Sequence, residues 1–423
     1  MARKMKDSGI EWIGEIPTDF SLYKLKYLLS SPLCYGANES GTLYSDILPR
    51  YIRITDISPN GTLKNSGMLS LDESSAQNYM LHEGDILFAR SGATVGKSFI
   101  YHNYYGRAAY AGYLIKASFN RLVLPEFVYY YTCSSAYEIW KNSIFIQSTI
   151  QNIGADRYSN LPISVPNSID KQLRIVRYLN NFCSKFDAII YNLQTSIEDY
   201  KKLKQAIITQ AITKGVRGER EMKDSGIAWI GEIPKEWDII KSSRIIKTTQ
   251  NGLSRRDLEK SEGQIILKLK NITSDGKIDY SFLNRITLSQ NELNTYALTT
   301  GDFLFVRVNG SKSLVGKCAI FEAISEIVAY NDHIIRVKLS NQCYNRFFLW
   351  YLYSCCGKAE IDLHTSTAAG QYTISGDGLR DITLVFPPID EQKEIADYLD
   401  AKCAEIDKLI AKKEQLVKEL ESY

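Results

Sequence analysis

Two glycine-rich turns, each opened by an arginine and closed by a lysine, carry the chemistry that stands out in this chain. The first reads Arg90-Ser-Gly92-Ala-Thr-Val-Gly96-Lys97-Ser98 and the second Arg307-Val-Asn-Gly310-Ser-Lys-Ser-Leu-Val-Gly316-Lys317-Cys318. A nucleotide-binding phosphate loop needs four residues between its glycines so that backbone amides can wrap the phosphates. Three residues intervene in the first turn and five in the second, which also lacks the metal-binding hydroxyl after its lysine. Nucleotide hydrolysis is therefore not supported. What both turns keep is a pair of cations framing backbone amides and hydroxyls, a set suited to a DNA backbone and to base edges. The bland alternative is a β-hairpin whose charges are simply solvated. The candidate DNA contacts are Arg90, Ser91, Thr94 and Lys97 in the first turn, and Arg307, Asn309, Ser311, Lys312 and Lys317 in the second. Arg53, Lys268 and Lys270, with the polar run Gln147, Ser148 and Thr149, form a second tier.

Other chemistry is missing from the pattern. His82, His102, His333 and His364 have no metal-ligand spacing and suggest no nucleophile–base set. The eight cysteines are scattered without a C-x-x-C pair, so free and mostly buried thiols in a reducing compartment are expected. No amino-methyltransferase signature of the Asn-Pro-Pro-Tyr or Asp-Pro-Pro-Tyr type occurs. Tyr101, Tyr104, Tyr105, Tyr110 and Tyr113 form a cluster that could stack on DNA, although tyrosine on half-buried strands more often belongs to a core.

The elements that must position these turns come in duplicate. Met5-Lys-Asp-Ser-Gly-Ile-Glu-Trp-Ile-Gly-Glu-Ile-Pro17 returns 217 residues later as Met222-Lys-Asp-Ser-Gly-Ile-Ala-Trp-Ile-Gly-Glu-Ile-Pro234, with a single difference. Gly84-Asp-Ile-Leu-Phe-Ala-Arg90 matches Gly301-Asp-Phe-Leu-Phe-Val-Arg307, and Ile169-Asp-Lys-Gln172 matches Ile389-Asp-Glu-Gln392. A repeat this long exceeds any solenoid period, so each copy should hold its own core. The 423 residues also call for two or three domains at ~100–200 residues each.

After each copy comes a helical stripe. Val176, Leu179, Cys183, Phe186, Ile190, Leu193, Ile197 and Tyr200 step in the 3-4 alternation of a heptad seam. Their counterparts are Ala396, Leu399, Cys403, Ile406, Ile410, Lys413, Val417 and Leu420. The first helix should run from about Asp170 to Thr213, since no glycine or proline interrupts it. A helix with one apolar stripe needs a partner, and its own repeat is the nearest. The second helix lacks a counterpart to Lys204-Gln-Ala-Ile-Ile-Thr-Gln-Ala-Ile-Thr-Lys214 and reads as the shorter one. The expected fold class is α/β (α+β): two duplicated mixed domains separated by two long helices pairing as a coiled coil. The expected boundaries are 1–168 and 222–388 for the domains, and 169–221 and 389–423 for the helical regions.

Composition agrees with a globular protein: 44% hydrophobic and 23% charged residues, with a net charge of only +3 that neither announces nor excludes a nucleic-acid partner. No apolar run approaches the ~18 residues of a membrane helix, and no secretory core follows the N-terminus, so a cytoplasmic location without membrane contact is expected.

Together, the duplicated opening, the Gly-Asp-x-Leu-Phe-x-Arg strand with its Gly-Lys turn, and the Ile-Asp-x-Gln helix start resemble the specificity subunit of a type I restriction-modification system over nearly the whole chain. The resemblance implies that each globular unit is a target-recognition domain for one half of a split, asymmetric target in double-stranded DNA. It further implies a non-catalytic subunit that binds no cofactor and whose helices dock two methyltransferase subunits. The partners, including restriction and translocase subunits, would supply S-adenosylmethionine-dependent adenine-N6 methylation and the ATP- and Mg-dependent steps. Two alternatives remain on the residues alone: a recognition module of another methylating or restriction enzyme, and a coiled-coil scaffold without DNA binding.

Overall fold

The computed structural model describes residues 3–58, 61–92, 94–146, 152–255, 262–273, 275–368 and 370–421. The chain divides into two units, Met1–Ala188 and Ile189–Tyr423. Among the described residues no helix is long and apolar enough to cross a membrane.

In the first unit the strand Ile86–Ala89 is buried along its whole length. Its side chains alternate between two cores, as a pleated strand requires. Ile86 and Phe88 face a core completed by the helices Pro125–Thr132 and Ser135–Ile146, while Leu87 and Ala89 face a second core with Ile52, Ala108 and Tyr110. A strand covered on both faces reads as an unbroken apolar run, which explains the Ile-Leu-Phe-Ala sequence. It lies in an antiparallel sheet ordered Cys34–Tyr35, Leu114–Ala117, Ile86–Ala89, Ser98–Ile100. A second sheet pairs Ala108–Tyr110 in parallel with Arg50–Ile52.

The second unit repeats this plan. Phe303 and Phe305 enter the core shared with the helices Asn345–Tyr353 and Cys355–Leu363, and Leu304 and Val306 enter the other. Each helical stretch is broken once. In the second unit Ser354 caps the new helix by accepting from the Gly357 amide at 3.1 Å, and a Cβ at Gly357 would collide with the Tyr351 carbonyl.

The duplicated opening folds into matching hairpins, Met5–Asp7 with Glu15–Pro17 and Met222–Asp224 with Glu232–Pro234. Asp7 and Asp224 accept from the Gly9 and Gly226 amides at 2.9 and 3.0 Å, so the shared Asp-Ser-Gly sequence is turn chemistry. Four thiols are buried and four exposed, so the expectation of mostly buried cysteines fails for Cys34, Cys133, Cys183 and Cys355.

The long helices span Ile169–Lys214 and Ile389–Glu421. Their apolar stripe serves more than one purpose. Val176 packs into the core of the first unit and Leu399 into that of the second. Within the second unit, Ile197 packs on Ile406 and Ile410 beside Tyr200, Ile207 and Val417. Lys413 lies 5.6 Å from the centre of the Tyr200 ring and Lys204 meets Asp407 at 2.6 Å, so residue numbers rise on one helix as they fall on the other and the pair is antiparallel. Leu179, Phe186, Ile190, Leu193 and Leu420 stay partly exposed.

Both helices are fastened at their first turn by the glutamine of the Ile-Asp-x-Gln motif. Gln172, fully buried, accepts from the Leu124 amide at 2.8 Å and donates to the Leu122 and Pro166 carbonyls at 3.0 Å. Gln392, equally buried, accepts from the Tyr344 amide and donates to the Pro387 carbonyl, both at 2.8 Å. Removing a buried amide strands its backbone partners, at about 1–3 kcal/mol for each unsatisfied group. Gln172→Ala and Gln392→Ala are each expected to destabilise their own unit by about 2–4 kcal/mol in urea unfolding. A loss below about 0.5 kcal/mol would show that these side chains do not anchor the helices.

Candidate nucleic-acid interface

The two turns are hairpin tips. In the first unit Ala89 and Lys97 close the tip, with the Ala89 amide donating to the Lys97 carbonyl at 2.8 Å and the Gly96 amide to the Ala89 carbonyl at 2.9 Å. In the second unit the Val306 amide donates to the Lys317 carbonyl at 2.7 Å and the Gly316 amide to the Val306 carbonyl at 2.9 Å. The chain leaves each tip into a strand, Ser98–Ile100 or Cys318–Ile320. A phosphate loop instead leads into a helix whose N-terminal amides face the anion, so that reading fails on topology as well as on spacing. Gly96 and Gly316 adopt φ of +82° and +75°, and a Cβ there would strike Lys141 and Ile361. These contacts press each tip against the helical layer and explain why the glycine before the lysine recurs.

Arg90 and Arg307 occupy equivalent corners. The Arg90 amide donates to the Tyr113 carbonyl at 3.0 Å and its carbonyl accepts from the Ile153 amide at 2.9 Å. Arg307 makes the same two bonds, to the His333 carbonyl at 2.8 Å and from the Ile374 amide at 2.9 Å. The side chains differ: the Arg90 guanidinium lies 5.0 Å from the centre of the Tyr35 ring, whereas that of Arg307 donates to the Asp332 carbonyl at 3.1 Å. Ser91, Thr94 and Lys97 share the first tip and are each partly exposed.

Beyond Arg307 the tip is wider. Val308–Asn309 pairs with Gln371–Thr373, which pairs in turn with Ser366–Ala368, forming a small polar sheet. Asn309 accepts from the Ser311 amide at 2.9 Å and so shapes the turn. Ser311 and Lys312 are exposed, Lys317 partly so, and Lys312 stands 3.8 Å from Asp362. A cleft of about 330 Å³ opens beside them, bordered by Lys312, Lys317, Cys318, Tyr353 and Lys358. Burial pushes the Cys318 thiol and the Tyr353 phenol well up, so both stay neutral near pH 7 and neither is an activated nucleophile.

The second-tier residues separate. Arg53 is committed to the fold: its guanidinium forks onto Asp56 at 2.8 and 3.1 Å and reaches the Gly67 carbonyl at 2.8 Å. Lys270 lies 5.5 Å from the centre of the exposed Phe282 ring, and the Lys268 amide donates to Asn271 at 2.9 Å. Gln147, Ser148 and Thr149 lie outside the described residues. Tyr101 and Tyr110 are core residues, whereas Tyr104 and Tyr113 are exposed.

Sequence reasoning passed over Tyr35 and the Ser366–Thr373 strand pair. The signal for the second was a polar, β-branched run around Gly370. Tyr35 gave none, because its proximity to Arg90 depends on Gly36, where a Cβ would collide with the Tyr110 and Ala111 carbonyls. Among the described residues no cluster of histidine, cysteine or acidic side chains could hold a metal ion.

Comparison with known proteins accords with this geometry. The chain is 26% identical to the StySPI type I restriction enzyme specificity subunit of Salmonella potsdam and 25% identical to the EcoKI specificity subunit of Escherichia coli K12. Each match covers 65% of this chain and 58% of the relative, so the matched region spans little more than half of those proteins. A chain from a solved type I R-M system, described for its assembly and conformational transition, superposes with a TM-score of 0.73 at 14% identity, covering 96% of both chains. The family model for the type I restriction modification DNA specificity domain matches residues 44–199 and again 234–419. With two copies of that domain over most of its length, each carrying the same Arg-to-Lys hairpin and the same glutamine-anchored helix, the chain belongs to the type I restriction-modification DNA specificity family.

Proposed function

We propose that this chain is the DNA-addressing subunit of a type I restriction-modification complex, one that selects a bipartite, asymmetric site and performs no chemistry itself. The observation that carries this reading is the paired hairpin tip: two diverged domains hold an arginine at the same corner, fixed by the same two backbone bonds. In this reading residues 1–168 and 222–388 are the target-recognition domains, and 169–221 and 389–423 are the spacer helices. Divergent tips on equivalent scaffolds suit two half-sites of unrelated sequence. Two methyltransferase subunits and the restriction and translocase subunits are the partners. They bring S-adenosylmethionine, ATP and Mg, and the complex works in the cytoplasm.

Within the tips, Arg90 and Arg307 are the base readers, since a bidentate arginine–guanine pair in the major groove is worth about 1–3 kcal/mol of discrimination. Lys97, Lys312 and Lys317 neutralise phosphates, and Ser91, Thr94 and Ser311 donate to them. Asn309 sets the shape of the second tip, which leaves its amide nitrogen to contact the DNA. A net charge of +3 is low for a protein that grips DNA alone, so tight binding depends on partners closing around the duplex.

Arg90→Ala is expected to relax or abolish reading of one half-site and Arg307→Ala of the other, each with the complex still assembled. Methylation of a randomised target library by the reconstituted complex checks this, and loss of both half-sites together, or of assembly, would make the residues structural. A second outcome concerns spacing. Four residues inserted in helical register near Thr195 add ~6 Å at 1.5 Å per residue, comparable with ~2 base pairs. The unspecified gap should lengthen while both half-sites persist, and an unchanged gap in an assembled complex would refute the spacer role.

A further inference from the structure

The short strand Cys34–Tyr35 meets the first tip from the side, and the repeat shows what is particular about it. The Gly36 amide donates to the Leu114 carbonyl at 3.2 Å and the Ala37 amide to the Tyr110 carbonyl at 2.9 Å. In the second unit the Gly252 amide donates to the Ile334 carbonyl at 3.1 Å and the Leu253 amide to the Tyr330 carbonyl at 2.9 Å. These matched bonds make Asn251 the counterpart of Tyr35. The arginines at the two tips therefore share a backbone setting and differ in the side chain beside them.

Tyr35 is held at both ends. Its backbone pairs with Ile115 in the sheet, and its hydroxyl accepts from the Ala155 amide at 3.0 Å. That amide opens the short helix Ala155–Ser159, whose N-cap is Gly154 and has no side chain to offer. In the second unit the matching helix, Gly376–Asp381, is capped by its own Ser375, which accepts from the Gly378 amide at 3.0 Å. The Tyr35 hydroxyl stands in for the missing cap. The Arg90 carbonyl accepts from the Ile153 amide at 2.9 Å, so the tyrosine ring and the arginine backbone are tied to one segment, Ile153–Ala155. The Arg90 guanidinium lies over that ring, and among the described residues it has no hydrogen-bond acceptor. Arg307 is held differently, through Nη1 on the Asp332 carbonyl at 3.1 Å.

We propose that Tyr35 is a positioning residue for base recognition in the first half-site: its ring carries the Arg90 guanidinium so that the arginine meets a base edge with all of its N–H donors free. The inference rests on Arg90 reading a base, as set out above. Contact with an aromatic ring restrains a long cationic side chain without engaging its N–H groups, which stay available for a bidentate pair with guanine. An arginine ordered before the DNA arrives loses less conformational freedom on binding. In the second unit the restraint is a backbone carbonyl, which no substitution at Asn251 removes.

The test measures, in the reconstituted complex, methylation of DNA carrying each base pair in turn at every position of both half-sites. Arg90→Ala first locates the position that Arg90 reads. There Tyr35→Leu should lower the preference for the correct base pair by about five- to tenfold, and Tyr35→Phe, which keeps the ring, should hold it within about twofold. In a chain already carrying Arg90→Ala, Tyr35→Leu should change nothing further at that position. Asn251→Leu should leave the second half-site as it is. If Tyr35→Leu prevents assembly, Tyr35→Met, unbranched and able to fill the space, takes its place. The proposal is overturned if Arg90→Ala removes a preference that Tyr35→Leu leaves intact. It is overturned equally if Tyr35→Phe loses as much as Tyr35→Leu, or if Tyr35→Leu weakens every position of the first half-site alike, since the tyrosine would then only support the fold. Should Arg90→Ala remove no preference at all, the base-reading role of Arg90 fails and that of Tyr35 with it.

Discussion

Gln172 and Gln392 sit fully buried at the first turn of each long helix, where their amides bind backbone groups of the preceding domain. Everything outward depends on this fastening. A helix of 46 residues, roughly 70 Å at 1.5 Å per residue, turns any play at its root into a large displacement at its far end. A buried side chain that accepts from one peptide and donates to another fixes both direction and register at that root. Both copies keep it although many neighbouring side chains have changed, as expected if the helix and its domain must act as one body.

A second constraint fixes the hairpin tips. The strands leading to Arg90 and Arg307 are covered on both faces, so a one-residue slip would send every side chain into the opposite close-packed core, where its size does not fit. The tip therefore projects from the least adjustable part of each domain. Its own sequence is free to vary, because its hydrogen bonds to the scaffold are made by backbone: Arg90 to Tyr113 and Ile153, Arg307 to His333 and Ile374. Side chains can then be exchanged, and three residues added, without disturbing what holds the loop. This division between backbone anchorage and side-chain variation is what a recognition element with changeable specificity requires.

The duplication, the helical stripe and the strand-turn-strand of the tips were legible because each rests on local periodicity or direct repetition. Less was legible where one pattern serves several uses. The stripe from Val176 to Tyr200 is a continuous heptad in sequence, yet Val176 belongs to a domain core, Ile197 to a helix pair, and Phe186 to an open face. Periodicity reports that a face is apolar and not what covers it. Tyr101 and Tyr113 are of one residue type in one cluster, but one is core and the other is exposed, because strand pairing and not composition decides. Arg53, a plausible DNA contact by type, turned out to be spent on Asp56 three residues away.

The account stands most directly on whether this chain alone determines which DNA is marked. A genome-wide map of N6-methyladenine, in cells holding the partner methyltransferase with and without this chain, measures that. The account predicts a two-part motif of unrelated halves with one fixed gap, present only when the chain is present. A motif that persists without the chain, or a single uninterrupted motif that depends on it, would contradict it.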